Sequence, residues 1–117
     1  MLQENLEDIE ATKLQKQVWQ KLKEIPKGKV TTYKLLATAV GSKAIRAVAS
    51  AVAKNPYAPK TPCHRVVLSS GKLGGYTHPK GVIRKIELLE AEGVKVVANK
   101  IENFEEILYK FDATNKG

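Results

Sequence analysis

Apolar residues recur at helical spacing through most of this chain of 117 residues. From Lys13 to Glu24 they return every three or four positions until Pro26 and Gly28, which predicts an amphipathic helix that ends before the proline. The same spacing predicts four further helices, at 33–40, 43–54, 82–92 and 101–111. Two short runs rich in valine, at 66–68 and 94–98, predict strands.

Only Gly41 and Ser42 separate the second predicted helix from the third. Two helices joined by a tight turn that contains glycine are typical of a helix-turn-helix. Residues 55–62, which follow, contain three prolines and are predicted to form a stiff loop. The sequence therefore predicts a mainly α fold with a helix-turn-helix and short strands. We expect residues 1–117 to form a single domain that begins with a short acidic lead at 1–12.

The helix predicted at 43–54 has two different sides when wound at about 100° per residue. Its apolar side consists of Ile45, Val48 and Val52, flanked by Ala44 and Ala51. Its opposite side consists of small residues and two cations, namely Arg46, Ala47, Ser50, Ala53 and Lys54. Small residues allow a backbone to approach another surface closely, and cations suit phosphate contacts or insertion into a groove. An ordinary solvated helix face is the alternative.

The charge distribution favours a polyanionic partner for the middle of the chain. The formal net charge is +8, and residues 13–85 carry sixteen of the twenty basic side chains, with Glu24 as their single acid. A protein that neutralises phosphates releases condensed counterions, which drives binding.

Several classes of protein do not fit the sequence. No apolar run approaches the roughly 20 residues that span a bilayer, and the acidic start does not resemble a secretory signal. A single cysteine permits neither an internal disulfide nor a multi-cysteine zinc site, which fits a reducing compartment. We therefore expect a cytoplasmic protein, nuclear if eukaryotic, with no metal and no cofactor.

The single cysteine, Cys63, precedes His64 in the stretch TPCHRVV. A thiol becomes a useful nucleophile when a neighbour favours the thiolate over its free pKa of about 8.5. Adjacent side chains of an extended segment point to opposite sides, so a water molecule could relay the proton between the two residues. The alternative is a buried cysteine that acts only as a small apolar residue.

Together these features resemble the active-site domain of the O6-alkylguanine-DNA alkyltransferases. The resemblance runs from about Gln17 to Gly93, through PCHRV and the segments VWQKLKEIPKGKVTTYKLLA, IRAVASAVAKNP, LGGYT and RKIELLEAEG. It implies a small, winged-helix-like helical domain that binds the minor groove of double-stranded DNA and flips the alkylated guanine out of the stack. Cys63 would take the alkyl group from O6 and keep it, so one protein molecule, expected to be a monomer, is consumed per lesion.

The resemblance also implies roles for four residues near the thiol. His64 would act as the base through a bound water, and Glu92 would orient its imidazole. Asn55 matches a hinge asparagine that ties the helix-turn-helix to the active-site turn. Tyr33 matches a tyrosine that donates a hydrogen bond to the flipped base near N3 and so stabilises the departing guanine anion.

Further matches concern DNA and the substrate pocket. Arg46 matches an arginine that fills the place of the flipped nucleotide. The remaining residues expected at the DNA surface are Thr32, Ala47, Ser50 and Lys54. The residues expected at the pocket are Val66 through its carbonyl, Tyr76, Thr77 and Lys85. The segment between Tyr76 and Lys85 is about two residues longer than in the family, which bears on pocket width.

Three other functions remain open from the sequence. An alkyltransferase-like protein binds alkylated guanine without transfer and has another residue in place of the cysteine, so Cys63 argues against it. A helix-turn-helix transcription regulator would not need Cys63, His64 and Glu92 together. A Cys-His hydrolase would not need the features that favour DNA.

Overall fold

A computed structural model describes residues 12–58, 60–76 and 79–111. Its elements are α1 (Lys13–Leu22), β1 (Thr31–Thr32), α2 (Tyr33–Ala39), α3 (Ile45–Ala53), a 3₁₀ turn (Cys63–Arg65), β2 (Val66–Val67), α4 (Val82–Ala91), β3 (Val96–Val97), β4 (Lys100–Ile101) and α5 (Phe104–Ile107). The described part is mainly helical with short strands, as predicted. No described helix has the length and apolar character needed to cross a membrane. The predicted acidic lead, apart from Thr12, lies outside the described residues.

The turn between α2 and α3 has the hydrogen bonds of a Schellman motif. The Ser42 N–H donates to the Ala37 carbonyl at 2.9 Å, and the Gly41 N–H donates to the Thr38 carbonyl at 3.0 Å. Gly41 has a φ of 72°, a left-handed conformation that costs glycine little. The glycine between the two predicted helices is therefore what closes the helix-turn-helix.

The first three helices enclose one apolar core. Val18, Leu22, Leu36 and Val48 are fully buried there. A second core lies under α4 and contains Val30, Val67, Leu73, Leu89, Val94 and Ile101. Burial of apolar side chains at these helical spacings is what makes the predicted positions of α1 to α4 correct.

A two-residue parallel pairing of β1 with β2 connects the two halves of the site. Thr31 lies opposite Val66 in this pairing. Tyr33 follows β1 directly, and the 3₁₀ turn at Cys63–Arg65 directly precedes β2. The pairing therefore holds the first residue of α2 close to the cysteine, although 30 residues separate them in sequence.

The predicted helix at 101–111 is wrong. Only Phe104–Ile107 is helical. Beyond it, the Tyr109 N–H donates to the Val30 carbonyl at 2.6 Å, and the Val30 N–H donates to the Ile107 carbonyl at 3.0 Å. These bonds to a distant segment replace the bonds that a longer helix would make within itself. The apolar residues at helical spacing in 101–111 therefore pack without forming a longer helix.

The apolar side predicted for the helix at 43–54 is only partly buried. Ile45 is 43% exposed, and Ala44 beside it is exposed as well. The first turn of α3 lies at the surface, so its apolar side is buried only from Val48 onward.

Candidate active site

A cavity of about 260 Å³ opens beside Cys63. Tyr33, Asn55, Gly75 and Tyr76 contribute to its walls. Its volume lies just below the roughly 300–1,000 Å³ of ordinary small-molecule pockets, so it suits one small ring system. Cys63 is 7% exposed, which leaves its sulfur shielded from bulk water but accessible from the cavity.

Asn55 connects the end of α3 to the chain that leads to Cys63. Its Nδ2 donates to the Thr61 carbonyl at 2.7 Å, and its Oδ1 accepts from the Tyr57 N–H at 2.9 Å. The Cys63 N–H donates to the same Thr61 carbonyl at 2.9 Å. One carbonyl thus joins the asparagine and the cysteine, which is the connection expected of a hinge residue.

Two tyrosines lie close to the thiol. Cys63 donates a weak hydrogen bond to Tyr76 Oη at 3.9 Å. Burial and the nearby Cys63 raise the pKa of Tyr33 to about 12, and the same two causes raise the pKa of Tyr76. Both phenols therefore keep their proton at neutral pH and can donate hydrogen bonds into the cavity.

His64 is buried and contacts Glu92. Its side chain is 2% exposed, and Nε2 lies 2.9 Å from Glu92 Oε2. An ionised carboxylate only accepts hydrogen bonds, so Nε2 carries the hydrogen and Nδ1 of a neutral His64 carries the lone pair. Within the described ranges, Nδ1 is the one buried side-chain nitrogen or oxygen without a partner.

Arg65 also binds Glu92, a contact that the sequence analysis did not identify. Its Nε donates to Glu92 Oε1 at 2.9 Å, and its Nη2 donates to Glu92 Oε2 at 2.6 Å. The arginine is part of the PCHRV string, and Glu92 is separated from it by 27 residues. The available signal was an arginine within a run of mostly buried residues, since a partly buried cation requires an anionic partner.

The pKa values of the pair follow from this environment. Burial lowers the pKa of His64 below its usual value, and the Glu92 contact opposes that shift. Burial raises the pKa of Glu92, but hydrogen bonds from Arg65 and His64 outweigh it and leave that pKa below its usual range. At neutral pH the arrangement is a neutral imidazole beside an ionised carboxylate.

Lys85 differs from its prediction as a pocket residue. It is 0% exposed, and its Nζ donates to the carbonyls of Val66 at 2.8 Å, Leu73 at 2.5 Å and Gly75 at 3.3 Å. Neither Lys85 nor Val66 forms part of the cavity wall. The ammonium instead lies behind the wall and holds the backbone that carries Gly75.

The predicted DNA contacts lie on one exposed side of α3, with one exception. Arg46, Ala47, Ser50 and Lys54 are all exposed. Thr32 is 4% exposed, and its Oγ1 accepts from the Leu35 N–H at 3.0 Å. Its side chain therefore caps α2 and is unsuited to the predicted DNA contact.

Two other predicted features concern Thr77 and metal binding. Thr77 lies outside the described residues. Within those residues, no group of three or more His, Cys, Asp or Glu side chains is arranged to hold a metal ion.

Comparison with known proteins links these residues to one family. Residues 13–94 match the family described as 6-O-methylguanine DNA methyltransferase, DNA binding domain. The chain is 52% identical over 86 residues to the Escherichia coli bifunctional transcriptional activator/DNA repair enzyme Ada, a match covering 73% of this chain and 24% of that protein. Other relatives are named methylated-DNA–protein-cysteine methyltransferase, and this chain spans about half their length.

Two solved structures with bound DNA are similar to this chain. One is S. pombe Atl1 in complex with damaged DNA containing O6-carboxymethylguanine, with a TM-score of 0.72 and 30% identity, covering 83% of this chain and 94% of that one. The other is Mycobacterium tuberculosis OGT in complex with DNA, with a TM-score of 0.66 and 44% identity, covering 70% of this chain and 49% of that one.

Proposed function

Because the chain belongs to the 6-O-methylguanine DNA methyltransferase family, we propose that it repairs O6-alkylguanine in duplex DNA by moving the alkyl group onto Cys63. The observation that carries the proposal is the position of this thiol. It faces a cavity of about 260 Å³, while the adjacent His64 is held by Glu92 at 2.9 Å.

The reaction is a displacement at the alkyl carbon. His64 Nδ1 takes the thiol proton through a water molecule, and the Cys63 sulfur forms a bond to the alkyl carbon. The bond from that carbon to O6 breaks, and its electron pair remains on the guanine. Tyr33 donates a hydrogen bond to the departing base, which offsets its developing charge. The thioether is stable, so each molecule reacts once.

Duplex DNA binds along the exposed side of α3. The small side chains of Ala47 and Ser50 allow the helix backbone to approach the minor groove, and Lys54 contacts a phosphate. Arg46 enters the stack where the flipped nucleotide was. A flipped base is required because a stacked O6 substituent cannot reach the sulfur of Cys63, a residue that is only 7% exposed. The protein acts as a monomer.

Recognition without transfer is the second candidate function. Its support is the similarity to S. pombe Atl1, of which 94% is covered by this chain. Cys63 at the cavity favours transfer over recognition alone. Transcriptional regulation, which is part of the description of Ada, has no further support in the described residues.

The deciding experiment is incubation with a duplex that contains one O6-methylguanine, followed by mass analysis of the peptide that carries Cys63. We expect a gain of one methyl group on that peptide and none with an unmodified duplex. Cys63→Ala should keep lesion binding and lose transfer. Tight lesion binding with no mass gain in the native chain would favour recognition alone, and no preference for the lesion would favour a regulator.

A further inference from the structure

Arg65 joins three segments of the site. In addition to its two bonds with Glu92, its Nη1 donates to the Ile25 carbonyl at 2.7 Å. Ile25 lies just beyond α1, and Glu92 is the residue directly after α4. The arginine side chain is 16% exposed and the glutamate 11%. Such a shielded, two-point contact fixes the carboxylate in one orientation, which a single ammonium could not do.

His64 and Arg65 share one oxygen of Glu92. Oε2 accepts from Arg65 Nη2 at 2.6 Å and lies 2.9 Å from His64 Nε2. A carboxylate at the end of a helix is disfavoured by the helix dipole, so Glu92 needs a cation to remain ionised and in place. The arginine supplies that charge, and it also reduces the attraction that the carboxylate exerts on a proton at His64.

We propose that Arg65 is a positioning residue for the repair reaction: it fixes the Glu92 carboxylate against His64 Nε2 and screens its charge, which adds to burial in keeping His64 a neutral base. This inference rests on the proposed function. Without the screen, Glu92 would favour the imidazolium form, and a protonated Nδ1 cannot take the proton of Cys63.

The charged groups around His64 are few in the described residues. Burial disfavours the protonated form of His64 most strongly; Glu92 favours that form, and Arg65 and Lys85 disfavour it. Lys85 approaches from α4 and is committed to three carbonyls. Arg65 is therefore the cation in direct contact with the carboxylate that His64 uses, and its removal changes the balance most directly.

The first test follows the His64 imidazole by NMR in the free protein across pH. We expect Arg65→Gln to raise the pKa of His64 by about one unit, because the carboxylate loses its neutralising partner. Arg65→Lys should keep most of the native value, since the charge is retained. Lys21→Gln is the matched control: Lys21 also pairs with a glutamate, Glu24, at 3.2 Å, and its loss should leave the His64 titration unchanged.

The second test follows the single-turnover rate of alkyl transfer across pH. For Arg65→Gln the acid limb of the pH–rate profile should move to higher pH together with the His64 pKa, so the loss of rate is largest at low pH. For Arg65→Lys the limb should stay in place while the rate falls about tenfold at every pH, because one ammonium cannot make the two-point contact.

The outcomes separate this inference from the proposed function. An unchanged His64 titration in folded Arg65→Gln overturns the inference whether or not the protein transfers alkyl groups, because the NMR test needs no lesion. If Arg65→Gln does not fold, Arg65→Lys decides: a native rate at every pH would overturn the positioning role of the two-point contact. The expected rise of the His64 pKa in Arg65→Gln, together with no transfer by the native chain, would refute the proposed function. The effect of Arg65 on His64 would still stand.

Discussion

Two arginines of this protein have opposite surroundings. Arg65 is largely shielded and makes three hydrogen bonds, two to Glu92 and one to the Ile25 carbonyl. Arg46 lies exposed on α3, and the described residues supply it with no hydrogen bond or ion pair. The reactive turn is therefore organised before any ligand arrives, whereas the side of α3 presents cations that the described residues leave available.

The difference follows from what each region has to do. A proton acceptor is efficient when its orientation and pKa are fixed in advance, which requires buried and mutually satisfied partners. A surface that binds a polyanion gains most from cations without internal partners, because those cations release counterions on binding. Mutations in the first region should alter chemistry or folding, and mutations in the second should alter binding alone.

The largest effect is expected for Glu92→Gln. The amide cannot stabilise an imidazolium and leaves Arg65 without an anionic partner, so the single-turnover rate of alkyl transfer should fall about 100-fold. Glu90→Gln, at an exposed position in the last turn of α4, is the control and should stay near the native rate. Equal rates in the two variants would show that the organised region is not catalytic.

The next largest effect is expected for Lys85→Met, and it concerns the stability of the fold. Three carbonyls lose their shared donor, so the free energy of unfolding in urea should fall by roughly 2–3 kcal/mol. The exposed Lys95 provides a control, Lys95→Met, which should change it by less than about 0.5 kcal/mol. Native stability in Lys85→Met would contradict a structural role for the ammonium.

The pH dependence of stability gives the same lysine a second signature. Burial lowers the pKa of Lys85 from 10.5 to about 8. Between these values the unfolded chain holds the proton and the folded chain has released it, so stability rises with pH across this window. Lys85→Met should lose that contribution to the rise, as measured by urea unfolding at several pH values.

The smallest effect is expected for Arg46→Ala. Affinity for a duplex that contains the lesion should fall about tenfold. If Arg46 also contacts a phosphate, the slope of the logarithm of the binding constant against the logarithm of the salt concentration should become shallower by about one. The free energy of unfolding should change by less than about 0.5 kcal/mol, since Arg46 has no hydrogen bond or ion pair to lose among the described residues. Arg84→Ala removes the same charge from α4 and is the control. Unchanged repair kinetics of Arg46→Ala on duplex DNA would refute the proposal that Arg46 fills the place of the flipped nucleotide.

Helix positions and the exposed side of α3 were predictable because each depends on residues close together in sequence. Gly41 after a helical run identified the turn, and Pro56 after another identified the end of α3. The segment at 101–111 misled because its apolar spacing satisfies a helix, while its hydrogen bonds go to Val30. Ile45 misled because helical spacing does not tell which turn lies against the core.

The candidate site was predictable in its members but only partly in its arrangement. The PCHRV string and its resemblance to a family indicated Cys63 and His64, and Glu92 followed from the same resemblance. Burial and charge balance decided the rest, since they depend on which distant segments meet. Lys85 became a support behind the pocket wall for that reason, whereas the capping contact of Thr32 is local, from the Leu35 N–H three residues along the chain.

The sequence by itself determined the first four helices, the glycine turn, the basic middle of the chain and the cysteine-histidine pair, because periodicity, backbone preference and composition are local properties. Only the tertiary structure decided that Arg65 binds Glu92 and that Val30 pairs with the C-terminal segment. The physical reason is that a buried charge or an open backbone group is satisfied by whichever partner the packed core brings within hydrogen-bond distance.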